Sequence, residues 1–468
     1  MFKKILVWIR EVLNKMINTT SVKNALSVDV AISSEMTSAL QKWNAMYLNQ
    51  SPWLTDDVKS LNLASAIAAE IARAVTIEME VTLSGSPRAD FLGKQIARVV
   101  DRLRLATEYG AAKGGLMFKP YISGNQLAVD YVQADQFYPV AFDANGNMTA
   151  CVFSDTKIIG KDFYTRLEYH ALAADGYQIK NMAYKSSTKD TLGTQVPLTS
   201  VQAWAELQPE AVIVNVDRPL FAYFKMPFAN NIDPTSPLGV SIYSRAVSLL
   251  EQADKLWTEF IWEFESAHRV LYTDPNAFQK DPKTGLPVLP NRRLYRTLDL
   301  NGKIDQPGLF EDWTPTIREV NLLNGLDAII KKIEFTCGLA QGTISDPSTV
   351  ALTATEIRMS KQRTYATIVD TQKALEDALE GLLYAMDVWA TLGNLAPQGK
   401  YSAVYYFDDS IVADHDTAFA QDMQVLDRVM SKVEFRMRNY GEDLETAQKM
   451  VAMVTAENQP VDFFPVTE

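Results

Sequence analysis

From Ser236 to about His268 the sequence carries one apolar helical period with few breakers: Val240, Tyr243, Val247, Leu250, Leu256, Trp257, Phe260, Ile261 and Phe264. Ser236-Pro237 reads as its start, serine as N-cap and proline at the first helical position. A helix over 237–268 would run for roughly 45 Å. That length is unusual inside a compact domain and suggests a strut. A second rod is predicted over 319–338 through Leu322, Leu323, Leu326, Ile329, Ile330, Ile333 and Phe335, with Lys331-Lys332 on it. Between the rods, residues 269–318 lose the helical period. Prolines cluster there (Pro275, Pro282, Pro287, Pro290, Pro307, Pro315), and Asn291-Arg-Arg-Leu-Tyr-Arg296 forms a basic patch. The expectation is a small β-rich module inserted between two helices.

The second rod should stop at Gly338 and Gly342. An uncharged-to-weakly-acidic loop, 341–353, follows. Thr353 and Glu356 have the spacing of a capping box, in which hydroxyl and carboxylate each satisfy a free backbone N–H. They open a helix from Ala354 to about Leu392 with Ile357, Ile368, Leu375, Leu379, Leu382, Met386 and Trp389 on its apolar face. Gly393 ends it. Tyr401–Phe407 reads as a strand returning to the sheet, followed by helices at about 415–437 and 442–456 and an extended tail with Pro460 and Pro465.

In the first half, helices are predicted over 34–49, 57–80 and 89–112. The second is rich in alanine, the best helix former. From 115 to about 184 the period changes to two, with turn signals at Ser123-Gly-Asn, Asn145-Gly146 and Asp175-Gly176. This is an antiparallel meander, and 185–200 is read as a surface loop. The fold class is α+β, predominantly helical. Phe2, Ile5, Leu6, Ile9, Val12, Leu13 and Met16 share one face of a basic amphipathic segment. A membrane-surface helix is one reading of residues 1–17. A packed terminal arm in an assembly is the favoured one.

The chemistry is easier to exclude than to assign. There is no phosphate-cradling G-x-x-x-x-G-K-[ST], no G-x-S-x-G, no H-E-x-x-H and no cysteine pair at zinc spacing. Cys151 and Cys337 are far apart, and both are expected buried as small hydrophobes. His170, His268 and His415 are too scattered for a histidine metal site. No cofactor, metal or catalytic residue is expected. The strongest enzymatic alternative is a two-metal nuclease on Asp408, Asp409, Asp414 and Asp416 with His415. Carboxylates at a strand end and a helix start explain the same residues more simply. The net charge of −12 argues against a surface that grips nucleic acid throughout. It does not exclude a protein past which DNA must slide, though charge alone does not suggest one. No segment reaches the ~20 apolar residues of a membrane span, and the N-terminus lacks the pattern of a secretory signal.

Several segments in order resemble the portal proteins of tailed bacteriophages, in the branch common among siphophages. They are Phe221-Ala-Tyr-Phe-Lys-Met-Pro-Phe-Ala-Asn230, Ser236-Pro-Leu-Gly-Val-Ser-Ile242 with Asp254 on the following helix, Gly338-Leu-Ala-Gln-Gly342-Thr with Thr353-Ala-Thr-Glu356, Phe407-Asp-Asp-Ser-Ile411 with Asp414, and Met430-Ser-Lys near Tyr440-Gly-Glu442. The similarity covers roughly 30–457. It implies a subunit with wing, long-helix stem, β-rich clip and helical crown. The divisions are an arm at 1–29, first wing part at 30–236, stem helix at 237–268, clip at 269–318 and second stem helix at 319–339. Tunnel loop, long wing helix and return strand then occupy 340–410, crown helices 411–457 and a tail 458–468. The resemblance further implies a homo-oligomeric ring, usually of twelve, at one capsid vertex of the virion, assembled in the host cytoplasm. Double-stranded DNA would pass through it. Expected partners are the terminase large subunit, head-completion or adaptor proteins, and the major capsid protein with its scaffold, with no membrane. Lys331 and Lys332 would face DNA. Ile344, Asp346 and Val350 would lie at the tunnel-loop tip. Arg292, Arg293 and Arg296 would make clip contacts.

Overall fold

The computed structural model describes residues 19–188, 191–267, 270–273, 279, 282, 295–297, 310–313, 316–346, 354–407, 422–426 and 430–457. The chain divides into two compact units, Met1–Tyr406 and Phe407–Glu468.

The first unit opens with α1 (Thr19–Leu26), α2 (Ser34–Tyr47) and α3 (Leu63–Thr76), then β1 (Met79–Ser84) and α4 (Pro87–Lys113). In α3, Ala64, Ile67, Ala68, Ile71, Ala72 and Val75 form one buried face. Small side chains there let α4 approach closely. The start of α4 is fixed by Ser86, whose Oγ accepts from Ala89 N, by Pro87, and by Asp90 against the positive end of the helix. It ends at Gly114, φ +87°, the left-handed geometry that favours glycine.

Alternating sequence then gives β2 (Gly115–Ser123), β3 (Gln126–Gln133), β4 (Phe137–Phe142), β5 (Met148–Ile159), β6 (Asp162–Ala173), β7 (Gly176–Ser186), β8 (Thr194–Val196), β9 (Glu210–Ile213) and β10 (Ala222–Lys225). They form a three-stranded sheet, β10-β2-β3, and a larger antiparallel sheet, β4-β5-β6-β7-β8, with β9 also on β7. The predicted turns fall at the hairpins. Asp143 Oδ1 accepts from the amides of Asn145 and Asn147 ahead of β5. The stretch read as a loop over 185–200 contains β8, which pairs with the end of β7.

After β10 come α5 (Val247–Ser266), the short strands β11 (Val270–Thr273), β12 (Tyr295–Thr297) and β13 (Phe310–Trp313), then α6 (Glu319–Cys337), α7 (Ala354–Leu392) and β14 (Ser402–Phe407). The predicted β-rich module between two helices is the three-stranded sheet β12-β11-β13. α7 packs on β10 and β2. Its Leu375, Leu379, Leu382, Leu383 and Met386 are buried. β14 does not return to the main sheets. It pairs with β1, whose first two residues fall inside the helix predicted over 57–80.

The second unit contains α8 (Lys432–Tyr440) and α9 (Leu444–Glu457). The helix expected over 415–437 is interrupted: 422–425 are helical, Leu426 bridges Met430, and Ser431 starts α8 afresh by accepting from Glu434 N. Arg436 joins Glu442 through two hydrogen bonds of 2.8 and 2.6 Å across the turn to α9.

Candidate functional site

The first rod is shorter than its apolar period. α5 spans 20 residues from Val247, not 237–268, and Ser236 is not its N-cap. Ser236 Oγ instead accepts from Leu238 N, Ser241 Oγ accepts from Tyr243 N, and Tyr243 Oη donates to Trp43 O at 3.0 Å. These local bonds offer the backbone an alternative to the helical ladder. Leu238, Val240, Ile242 and Tyr243 are buried in this irregular run. At its centre Gly239 presses on Gly114: a Cβ on Gly239 would lie 2.0 Å from Gly114 O. Two glycines 125 positions apart (239 − 114) thus allow the end of α4 to touch the segment that launches α5.

α5 is held to the chain before α3 by Asp254. Its carboxylate accepts from Trp53 Nε1 and Leu61 N, both at 2.8 Å. Burial raises its pKa, against the lowering effect of those two bonds. α5 and α6 run antiparallel. Leu256 lies opposite Gly325, and further along Glu263 meets Arg318. There Glu263 accepts from Arg318 N, Nε and Nη2 at 3.2, 3.0 and 2.7 Å. The hydrogen bonds to Arg318 hold the Glu263 carboxyl below its ordinary range. This fork closes the base of the β12-β11-β13 module, because the two residues flank it in sequence.

α6 ends as predicted. Gly338 adopts φ +77° and its N–H returns to the helix. α7 receives that end. Thr367 Oγ1 donates to Gly338 O at 2.9 Å, Thr364 Oγ1 accepts from Ala340 N at 2.5 Å, and Arg363 donates to Phe335 O at 3.4 Å. The Arg363 guanidinium also lies 3.9 Å from the Phe335 ring centre, with Lys332 Nζ at 4.9 Å from the same ring. Lys331 forms a 2.6 Å ion pair with Asp327, one turn back. The turn that follows is bound to Glu334, buried in the last turn of α6, so Ile344 and Asp346 sit next to the rod that carries both lysines. Ile344 is half-buried and Asp346 exposed. Cys337 is buried beneath this junction, and burial pushes its thiol up to about 12.

Val350 and Thr353 lie outside the described residues, as do Arg292, Arg293 and the Asp408–Asp416 cluster. Arg296 is on β12 and Glu356 on α7, but their side chains are likewise outside the description. α7 does begin at Ala354, one residue after Thr353. Sequence reasoning did not find Glu263, Arg318, Glu334, Arg363, Thr364 or Thr367. Glu334 left one signal: an acid in a helix's last turn, where the dipole disfavours it, just before a glycine turn with a serine. The others act across sequence separations of 24 to 55 positions and leave no local trace.

Among the described residues no group of histidine, cysteine and carboxylate side chains could hold a metal, and no helix is long and apolar enough to cross a membrane. In comparison with known families, the model described as "Phage portal protein, SPP1 Gp6-like" matches residues 97–436, more than two thirds of the chain. A solved chain described as "Neck of native GTA particle computed with C12 symmetry" aligns at 10% identity and a TM-score of 0.47, covering 90% of this chain and 99% of that one. No curated protein matches.

Proposed function

The chain belongs to the SPP1 Gp6-like phage portal proteins, and from that membership we propose that it forms a ring, of twelve subunits, at one vertex of a phage capsid. The ring is the channel for DNA packaging and ejection. It is also the platform on which the terminase large subunit docks during filling and head-completion or adaptor proteins dock afterwards. The major capsid protein and its scaffold surround it. It sits in the virion and is assembled in the host cytoplasm. In this reading α5 and α6 are the stem, the β12-β11-β13 module the clip, the turn from Gly338 towards α7 the tunnel loop, and α8 and α9 part of the crown.

The observation that carries the reading is the junction of α6, the turn and α7. A rod and a loop are fixed to one another by Glu334, Arg363, Thr364 and Thr367. That is what a constriction needs if its height in a bore is to be defined. The charge fits the task. A chain of net charge −12 repels phosphate on balance, and a few cations facing the bore suffice to centre the duplex. Of the two lysines Lys332 is the better placed for that, because Lys331 is already engaged by Asp327. The protein does no chemistry in this scheme. Its partner ATPase supplies the work, and the ring supplies geometry.

Electron microscopy of the purified full-length chain tests the proposal. Rings with a central hole are expected, and compact monomers across micromolar concentrations would overturn it.

A further inference from the structure

Glu334 is fully buried, at the negative end of the α6 dipole. A carboxylate there is costly unless its oxygens are hydrogen-bonded. Both are. Oε1 accepts from Ile344 N at 2.6 Å and Ser345 N at 2.9 Å, and Oε2 accepts from Ser345 Oγ at 2.9 Å and Gly342 N at 3.3 Å. Gly342, at φ +87°, turns the backbone so that these amides converge. The arrangement is a backbone nest for an anion, and the chain fills it with its own carboxylate. Ser345 is buried with it. Thr343 Oγ1 closes the turn by donating to Ala340 O at 2.7 Å.

We infer that Glu334 is a positioning residue: it welds the turn 339–346 to the last turn of α6, so that Ile344 and Asp346 keep a fixed height along the channel and move only when α6 moves. The inference rests on the portal reading for its consequence but not for its geometry. A rod that shifted or rotated by a fraction of a turn would carry the loop base with it, because three amides are tied to one side chain rather than to solvent. Phe335, next to Glu334, is in turn held by Arg363 of α7. The loop base is therefore referenced to both helices.

The test uses full-length Glu334→Gln and Ser345→Ala proteins. Glutamine keeps the shape but carries one NH2 group. Facing the Ile344 and Ser345 amides it loses both bonds, whereas facing the Ser345 hydroxyl it can donate to it and loses only the 3.3 Å bond from Gly342 N. Glu334→Leu, which removes every acceptor at similar volume, is therefore made beside it as the decisive variant. Hydrogen–deuterium exchange of the assembled protein should speed up on the order of tenfold or more at the Gly342, Ile344 and Ser345 amides, with protection along α6 and α7 unchanged. Ser345→Ala removes the hydroxyl that donates to Glu334 Oε2 and accepts from Gly342 N at 3.0 Å, and should accelerate mainly the Gly342 amide, with a smaller effect on the other two. Phage carrying Glu334→Leu should form normal rings yet retain less packaged DNA. Equal exchange in Glu334→Leu and wild type overturns the weld. Accelerated exchange with wild-type DNA retention overturns its role in the channel. Wild-type protein that forms no rings would overturn the portal reading instead, and the exchange comparison on that protein would still decide the weld.

Discussion

Gly239→Ala should uncouple α5 from the body of the first unit. A Cβ at 239 would sit 2.0 Å from Gly114 O and 3.1 Å from Met226 N. Carbon and oxygen in close contact normally keep about 3.3 Å apart, so one backbone must retreat by roughly 1 Å. Neither can do so freely. Gly114 is the left-handed cap of α4, and its carbonyl accepts from Met226 N at 3.1 Å. Gly239 N itself donates to Tyr223 Oη at 3.2 Å. Overpacking alone costs about 1–3 kcal/mol, and straining the two hydrogen bonds adds roughly 1 kcal/mol. The expected loss is therefore about 2–4 kcal/mol. Gly325→Ala is the control. It sits mid-helix in α6, and its Cβ would meet only Leu256 Cδ2, at 3.4 Å. Alanine there should be neutral or stabilise by up to about 1 kcal/mol through helix propensity. Urea denaturation of both variants, followed by far-UV circular dichroism, separates the two effects. A Gly239→Ala protein within about 0.5 kcal/mol of wild type would mean that the close approach of α4 and the 236–246 segment does not support α5.

Arg88→Met is expected to destabilise the first unit by about 3 kcal/mol. The Arg88 guanidinium is buried and donates to Asp387 O and Thr391 Oγ1 near the end of α7 and to Ala396 O and Pro397 O in the chain just after it, and methionine supplies none of these donors. Denaturation midpoints measure it, and a loss under 1 kcal/mol would show the carbonyls resolvated. A second expectation concerns acid. His170 is buried between Glu168 Oε1 at 2.9 Å and Tyr177 Oη at 2.8 Å, and burial holds it below the ordinary imidazole range. The unfolded chain then binds the extra proton first, so stability falls as pH drops below about 6.5. Burial alone would raise Glu168, but Lys119, His170 and Arg166 together hold it well below the usual carboxylate range. Its contribution is present above about pH 4.3 and is lost as pH falls further. His170→Gln should therefore flatten the stability profile just below about pH 6.5 while leaving the loss that belongs to Glu168 below about pH 4.3. An unchanged slope in the upper window would refute the assignment.

What the sequence made legible is what repeats locally. The α6 and α7 boundaries were readable to within a residue or two: glycine stops α6, α7 begins at Ala354 where the Thr-x-x-Glu spacing placed it, and both follow a 3.6 period. The meander was readable because its turn residues fall where the hairpins need them. The start of α5 was not. Val240 and Tyr243 satisfy a helical period by coincidence, and what overrides it is a contact with Gly114 that is remote in sequence. β1 was hidden because its six residues follow an alanine-rich helix directly and gain their partner only at β14.

The same distinction governs the site. Each rod is locally coded, but every tie that gives it a position comes from elsewhere in the chain. Asp254 reaches Trp53 and Leu61, Glu263 reaches Arg318 across the inserted module, and the end of α6 is received by Thr364 and Thr367 of α7. Lysines on a rod are visible in a sequence, whereas their height along an axis is not. That height is a property of the ties. In the proposed ring, altering a tie while keeping Lys331 and Lys332 should therefore change DNA retention as much as altering the lysines does, and a scan of ring variants, tie residues against lysines, would decide it. If only the lysine variants were affected, charge alone would set the constriction, and the buried carboxylates would serve folding and nothing more.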